Sequence, residues 1–302
     1  MNREGIAQLV VLWALLLLGT LAMSFAFSMR TEAMASRNGL EGARAYYQAR
    51  TGVDRAIALL SVAPADNVLT GSITGGDDDA TYEVRVTPEN GKIDVNVIGE
   101  EALKEILRNG GLSADEAEGL GDAILDWRDE DDETRPRGAE ERDYASLPEP
   151  VKPRNGKFAS VGELRYVRGV THEIYARLLS AVFTVDSGMQ GVNVNVAPVE
   201  VLRVLPGFTP ELAAQAIALR EETPFQSEAD LDAFLGTESA GPSSVPLVFS
   251  ARASPVFTIT SVGRAGGTVT RVIRCTIAVR GGPNSFTIRR WEDHVPMFEE
   301  AG

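Results

Sequence analysis

The sequence has little of the chemistry that most enzymes use. Its single cysteine, Cys275, excludes an intramolecular disulfide, and two histidines, His172 and His294, are too few for a histidine-rich metal or catalytic site. It has no serine–histidine–aspartate arrangement in a motif context and no glycine-rich phosphate loop. These absences predict that the chain is not an enzyme. They also favour Cys275 as a small buried apolar side chain in a strand.

Positive charge is also scarce. The 302 residues carry 29 lysines and arginines against 43 acidic residues, which gives a formal net charge of −14. A net-acidic surface repels phosphate backbones and suits cations or a basic partner, so nucleic acid is not an expected partner. The hydrophobic share of 44% is enough for a packed core, in two modest domains or in one domain with an insertion.

One long apolar segment stands out near the N-terminus. Residues Ile6 to Phe27 contain no charge and a single amide, Gln8. As a helix they would extend about 33 Å, enough to cross the ~30 Å hydrocarbon core of a bilayer. Residues 28–60 continue without proline and with helical composition, which an ordinary signal peptide does not do. Residues 6–62 are therefore predicted to form one long helix with a transmembrane first half.

The five residues Met1–Gly5 before this segment are polar, with one arginine and a terminal glycine. They resemble a prepilin leader, which implies peptidase cleavage between Gly5 and Ile6 and N-methylation of Ile6. Pilins usually begin with Phe and carry Glu as the fifth mature residue, whereas Ile6 and Val10 occupy these positions here. A carboxylate in hydrocarbon is costly unless paired, so a subunit without it needs no subunit above it. This predicts a place at the tip of a filament.

The rest of the chain alternates between strand and helix patterns. Residues 61–80 are loop-like, and Asn90-Gly91 between Tyr82–Thr87 and Lys92–Ile98 predicts a β-hairpin. Residues from Glu100 to about Leu235 have a helical pattern.

Three strands follow, predicted at Val256–Val262, Val269–Val279 and Ser285–Trp291 with turns at Gly266-Gly267 and Gly281–Pro283. The predicted fold class is α+β: a pilin-like long N-terminal helix, an antiparallel sheet and an inserted all-α domain. The predicted division is a leader at 1–5, the helix at 6–62, the sheet at 63–98 and 253–302, and the inserted domain at 99–252.

The helical block contains an internal repeat. Glu163–Arg177 aligns with Glu200–Ala214, so that Gly169 matches Gly207 and Thr171 matches Thr209. Glycine can end a helix in a left-handed conformation, and threonine can then cap the next one. A further copy pairs Val95-Asn96-Val97 with Val194-Asn195-Val196, and Phe158-Ala159-Ser160 echoes Phe225-Gln226-Ser227. The pattern predicts helix-hairpin-helix units.

Such hairpins bind DNA in some proteins and act as packing modules in others. DNA-binding hairpins offer backbone amides to a phosphate beside basic residues, but Glu173 and Glu211 follow the turns here. A packing module used for protein contacts is the favoured interpretation. A membrane-anchored DNA binder of the competence type remains the alternative.

An acidic tract lies at Asp122–Asp143. Asp129, Asp131, Glu133 and Glu140 fall at positions 1, 3, 5 and 12 of an EF-hand count, but Thr134 replaces the required glycine and Pro136 interrupts. The tract is therefore not an EF-hand. Charge runs of this kind are usually solvated faces, although clustered carboxylates also suit a hard cation.

The chain as a whole resembles the K-type minor pseudopilins of type II secretion systems, the general secretion pathway protein K family. The resemblance rests on the leader and apolar helix, the order of strands around a repeated helical domain, the acidic tract and the stretch Val192–Pro198. It implies a calcium-binding protein that initiates or caps the pseudopilus during protein export. The calcium ligands that the resemblance implies are Asp129, Asp131, Asp132, Glu140 and Asp143.

The same resemblance implies the partners and the location. The partners would be the I- and J-type minor pseudopilins through the N-terminal helix, the prepilin peptidase, and the secreted cargo or the outer-membrane channel. The chain would cross the bacterial inner membrane once, with its bulk in the periplasm. A minor pilin of a type IV pilus is a further alternative.

Overall fold

The computed structural model describes the backbone of residues 3–62, 72–146, 150–236, 244–250, 255–280, 285–293 and 295. Met1 and Asn2 of the predicted leader and the predicted turn at Gly281–Pro283 lie outside this part of the chain.

A single helix, α1 (Arg3–Val62), forms the N-terminal part of the fold. Its side chains are exposed from Ile6 to Leu40, whereas Ala45, Ala49 and Val53 are fully buried. These buried residues recur every four positions and so lie on one face, which packs on a sheet. The prediction of one long helix is confirmed.

Five antiparallel strands form the main sheet, in the order β1-β2-β7-β8-β9. They are β1 (Ser72–Gly76), β2 (Ala80–Pro88), β7 (Val256–Ala265), β8 (Val269–Val279) and β9 (Phe286–Asp293). The three predicted C-terminal strands are confirmed as a meander. Cys275 lies buried in β8 beneath α1, as expected.

Two glycines allow the close approach of α1 to the sheet. A Cβ atom on Gly263 of β7 would overlap the backbone of Ala45 and Ala49. On the helix side, a Cβ atom on Gly52 would meet Ser261 and come within 2.7 Å of Val84. Gly52 therefore weakens the helix as an isolated segment but permits its packing.

The prediction of a loop throughout 61–80 is wrong in its second half. Ser72–Gly76 pairs with β2, and the intervening aspartates form the turn. The Asp77 carboxylate accepts hydrogen bonds from the amides of Asp79 at 3.0 Å and Ala80 at 2.8 Å. Gly76 adopts a φ of 117°, which favours glycine. The aspartates that suggested a solvated loop therefore close a hairpin.

The predicted hairpin around Asn90-Gly91 is also wrong. A hairpin turn of this type needs positive φ at both residues, whereas neither has it and Glu89–Gly91 forms a 3-10 helix. The following strand, β3 (Ile93–Asp94), pairs in parallel with β4 (Phe183–Thr184) and does not join the main sheet.

The helical block lies between β2 and β7, which are neighbours in the sheet. It consists of two successive units, each opened by a short strand and closed by a short parallel strand. The first unit runs from β3 to β4, residues 93–184. The second unit runs from β5 (Val192–Asn193) to β6 (Leu247–Val248). The predicted fold class, with its helical insertion and hairpins, is confirmed.

Each unit contains a helical hairpin followed by further helical turns. The first unit has α2 (Glu100–Asn109), α3 (Ala114–Arg128), α4 (Glu141–Ala145), a 3-10 helix (Val161–Tyr166), α5 (His172–Ile174), a π-helical turn (Tyr175–Leu179) and α6 (Ser180–Val182). The second unit has α7 (Val199–Leu202), α8 (Pro210–Glu222) and α9 (Glu228–Leu235).

Candidate functional site

The acidic tract lies mostly in a connection between two anchored points of the first unit. At its start, the Arg128 guanidinium at the end of α3 donates to the carbonyl oxygens of Val95 and, at 2.7 Å, of Ile98. At its end, the Phe158 amide donates to Asn96 Oδ1 at 2.8 Å. Both ends are therefore bound to the turn that precedes α2.

The second unit makes the same connection with far fewer residues. Arg220 of α8 also binds a carbonyl oxygen, that of Val194 at 2.6 Å, and the Phe225 amide donates to Asn195 Oδ1 at 2.9 Å. Residues 221–224 suffice there, whereas residues 129–157 fill the connection in the first unit. The long acidic segment is thus an addition to a unit that closes without it. We call residues 129–157 the acidic loop.

Helix α3 supplies the carboxylates beneath the acidic loop. Asp122 and Asp126 are one turn apart and both buried, and Asp129 follows at the end of the helix. The Asp122 carboxylate pairs with Lys104 at 2.7 Å. Asp126 is fully buried, and burial raises its pKa although hydrogen bonds from Arg135 oppose the shift. The buried end of α3 therefore concentrates negative charge.

Glu140 is the most unusual member of the predicted ligand set. It is 4% exposed, and neither of its carboxylate oxygens accepts a hydrogen bond within the described chain. Burial raises the pKa of Glu140 to about 7, and the charges of Asp126, Asp129, Asp132 and Asp131 add to the shift. A buried carboxylate without a partner is costly, which indicates a position built to face a cation.

The other predicted ligands have different surroundings. Asp129 Oδ1 is buried without a partner, and its Oδ2 accepts from Arg135 at 2.6 Å. Asp131 accepts from the Glu133 amide and Asp132 from the Asn155 side chain.

Asp143 lies one helical turn beyond Glu140. It accepts from the Glu140 amide at 3.0 Å and lies 3.7 Å from an Arg168 nitrogen. Asp143 therefore already closes the first turn of α4.

The acidic side chains do not yet form a ligand shell. Among the residues that the structure describes, no group of three or more acidic, histidine or cysteine side chains is arranged to hold a metal ion. The unpartnered oxygens of Glu140 and Asp129 nevertheless fit a hard cation such as calcium, which binds oxygen ligands. The sequence reasoning did not identify Asp126, although its spacing from Asp122 and Asp129 along one helix was a usable signal.

Aromatic side chains fix the position of the acidic loop. Trp127 stacks on Phe158 with ring centroids 6.1 Å apart and meets the edge of Tyr144 at 5.2 Å. The Tyr144 hydroxyl accepts from the Arg168 amide at 3.1 Å. These contacts hold both the start and the end of the loop against the first unit.

The repeated hairpins have the predicted geometry. Gly111, Gly169 and Gly207 all have positive φ. Thr171 and Thr209 cap the following helices, each accepting from a backbone amide three residues on.

Acidic groups also lie at the hairpin turns. In the α2–α3 hairpin, the Glu116 carboxylate accepts from the Ser113 amide at 2.9 Å. In the α7–α8 hairpin, hydrogen bonds from the backbone and from Thr209 lower the pKa of Glu211. A carboxylate at these turns takes amide donors and repels phosphate.

The predicted processing site lies in the first helix. The Gly5–Ile6 bond falls within the first turns of α1. In the described chain, α1 is the one helix long and apolar enough to cross a membrane, and its most apolar window has a mean hydropathy of 2.3 with no buried residue. Val10, where the pilin pattern has glutamate, is exposed.

Comparisons with known proteins match both units. A family model described as type II secretion system protein K matches residues 71–187, and a helix-hairpin-helix motif model matches residues 187–239. The boundary between the two matches falls between the first and second units.

Curated relatives carry the same description. Type II secretion system protein K of Pectobacterium carotovorum subsp. carotovorum is 31% identical over 146 residues, which are 48% of this chain and 44% of that protein. The putative type II secretion system protein K of Escherichia coli strain K12 is 24% identical over 219 residues, which are 65% of this chain and 67% of the relative. The chain thus spans less than half of the Pectobacterium relative.

A solved structure has the same fold. A chain in the crystal structure of the GspK-GspI-GspJ complex from the type 2 secretion system of enterotoxigenic Escherichia coli superposes with a TM-score of 0.64. The superposition covers 87% of this chain and 100% of that chain at 17% identity. The chain belongs to the family of type II secretion system protein K, a family of structural pseudopilins.

Proposed function

We propose that this chain is the minor pseudopilin at the tip of a type II secretion pseudopilus, where it initiates or caps filament assembly for protein export across the outer membrane. The carrying observation is the combination of a K-type fold with a first helix whose N-terminal half contacts nothing else in the described chain. Such a bare apolar helix needs lipid or other helices around it. Both surroundings are available to a pseudopilin, first in the membrane and then in the filament.

The inserted helical block supports a terminal position. It lies between two central strands of the sheet and adds two units to a small helix-on-sheet fold. A block of this size obstructs the addition of a subunit above it. Val10 also leaves the apolar helix without the carboxylate that would need a partner in the next subunit.

The same proposal includes the location and partners. The polar leader with Arg3 would face the cytoplasm, and the sheet and both units would lie in the periplasm. The solved complex contains GspI and GspJ, so the expected partners of this chain are minor pseudopilins of those two types. We assign a structural role to the chain and no catalytic one.

N-terminal mass spectrometry of the full chain, expressed with and without a prepilin peptidase, tests the processing step. A mature chain starting at N-methylated Ile6 only in the presence of the peptidase is the expected result. Gly5→Leu places a large side chain at the cleavage site and should leave the precursor intact. An intact N-terminus in the unaltered chain would exclude the pseudopilin function.

Copurification from detergent tests the partners. The processed chain should retain I- and J-type minor pseudopilins from the same secretion system, and the Gly5→Leu precursor serves as the control that cannot mature. Equal recovery of an unrelated single-pass membrane protein would show that the association is not specific.

We further propose that the acidic loop binds calcium. Asp129 and Glu140 are the best-supported of the predicted ligands, together with Asp126, because unpartnered oxygens and buried charge meet there. Asp131, Asp132 and Asp143 are the remaining predicted ligands, and each already accepts a hydrogen bond. A bound calcium ion would offset the buried negative charge and fix the loop to α3.

Calorimetric titration of the full chain with calcium chloride in detergent tests this proposal. Glu140→Gln keeps the size of the side chain but removes its charge, and it should weaken binding at least about tenfold, equivalent to about 1.4 kcal/mol. Glu141→Gln is the matched control, because Glu141 is the next residue and its side chain is 56% exposed. Absence of calcium binding at millimolar concentrations would contradict the proposal.

A further inference from the structure

Arg135 lies over the buried end of α3 in a fixed backbone position. The Gly138 amide donates to the Arg135 carbonyl at 3.0 Å, which closes a tight turn above Asp126. A Cβ atom on Gly138 would overlap the Asp126 carboxylate, so the turn lies directly against it. The Arg135 amide also donates to Asp126 Oδ2 at 3.2 Å. The backbone therefore delivers the Arg135 side chain to the candidate calcium ligands.

The guanidinium of Arg135 joins two of these carboxylates. Its Nη1 atom lies 2.7 Å from Asp126 Oδ1 and 2.6 Å from Asp129 Oδ2. The Arg135 side chain is 32% exposed, whereas that of Asp126 is fully buried. One positive charge thus faces several acidic groups from the solvent side, and the Glu140 carboxylate remains unpartnered.

The arrangement explains why the acidic side chains form no ligand shell. Calcium takes six to eight oxygen ligands, and two of the oxygens at the end of α3 are occupied by Arg135. A guanidinium and a calcium ion at the same carboxylates would repel each other. The partial exposure of Arg135 gives its side chain a path into solvent while its amide stays bonded to Asp126.

We propose that Arg135 is a resident counter-ion that holds the acidic loop on α3 without metal and leaves Asp126 and Asp129 when calcium binds. This inference rests on the proposed calcium site. Arg135 lowers the affinity for calcium, because its bonds must break before the metal takes the same oxygens. In exchange, it keeps the loop ordered when calcium is scarce.

Calorimetric titration of the full chain in detergent with calcium chloride tests the exchange. Arg135→Ala should bind calcium at least about tenfold more tightly than the unaltered chain, equivalent to about 1.4 kcal/mol. Arg137→Ala is the matched control: it removes the same charge from the same loop, but Arg137 pairs with Asp115, whose side chain is 83% exposed. The control should leave the calcium affinity unchanged.

Thermal unfolding in EGTA and in calcium gives an independent readout. Arg135→Ala should lower the Tm in EGTA, and the loss should disappear in saturating calcium, because the side chain no longer contributes once displaced. A loss that is equal in both conditions would overturn the inference and identify Arg135 as a purely structural residue. Arg135→Gln keeps most of the side-chain volume and replaces Arg135→Ala if the alanine variant does not fold.

The outcomes separate this inference from the calcium proposal. Binding by the unaltered chain with no gain in Arg135→Ala would overturn the counter-ion role alone. Binding by Arg135→Ala but not by the unaltered chain would support the counter-ion role and contradict calcium binding by the natural protein. Absence of binding in both would overturn the two together.

Discussion

The Asn195 side chain forms two hydrogen bonds with the backbone of Phe225: its Nδ2 donates to the carbonyl oxygen at 2.8 Å, and its Oδ1 accepts from the amide at 2.9 Å. Asn96 and Phe158 make the same pair in the first unit, at 3.0 and 2.8 Å. The two asparagines thus join the opening turn of each unit to the residue that follows its helical hairpin. The sequence echo between the units has a structural cause in this bond pair.

Asn195→Ala should destabilise the second unit substantially. It removes two hydrogen bonds and leaves a largely buried backbone amide and carbonyl of Phe225 without partners, which costs about 2–3 kcal/mol. Chemical unfolding of the full chain in detergent, followed by circular dichroism, measures the loss. Asn38→Ala, on the exposed part of α1, is the control for the same change. Equal effects of the two variants would contradict a joining role for Asn195.

Gly263→Ala should weaken the packing of α1 on the sheet. The added methyl group would overlap the backbone of Ala45 and Ala49, so the helix must shift, at a cost of about 1–3 kcal/mol. Gly119→Ala in α3 is the control, because its Cβ meets nothing within 4 Å and alanine favours a helix by up to about 1 kcal/mol. Thermal unfolding should therefore shift in opposite directions, and a neutral Gly263→Ala would show that the helix can move freely.

Asp94→Asn should change how stability depends on pH. Burial raises the pKa of Asp94, and the charge of Asp186 adds to the shift, although the amides of Gly188 and Asn96 and the Ser187 hydroxyl oppose it. The folded chain then holds a proton that the unfolded chain releases, so wild-type stability falls as pH rises above about 4 through this window.

Asparagine removes this titration but places an amide donor against the Gly188 amide, which donates to Asp94 at 2.7 Å. The Asp94→Asn variant should therefore be less stable than wild type by a margin that narrows between pH 4 and pH 7. Unfolding free energies measured at several pH values test this trend. A margin that widens with pH would mean that the charged form of Asp94 is favoured by folding.

The sequence predicted features that depend on local spacing. The unbroken apolar run gave α1, and the glycine–threonine pattern gave the hairpins with positive φ at Gly169 and Gly207. Alternating residues after Pro255 gave the three C-terminal strands. Each of these depends on neighbours within one or two turns of chain, which a single sequence displays.

Features set by distant contacts were missed. Asn90-Gly91 has the composition of a hairpin turn, but the backbone of Gly91 lies against Val196 and Ala197 of the second unit, and the turn is never formed. Asp77 closes a hairpin because β1 finds β2, which no spacing rule requires. Nor did the acidic run reveal that Arg135 would fold back onto Asp126 across nine positions of sequence.

Replacing the acidic loop by its short counterpart should separate calcium binding from folding. A chain in which residues 129–157 are exchanged for residues 221–224, with Trp127→Leu to match Leu219, keeps the Arg128 and Phe158 anchors of the first unit. We expect cooperative unfolding and helical circular dichroism to persist, because the second unit closes with that connection. The Tm should be lower than that of the natural chain, since the buried ring of Tyr144 is lost. Calcium should no longer bind or raise the Tm, whereas a chain that fails to fold would show that the acidic loop is part of the core of the first unit.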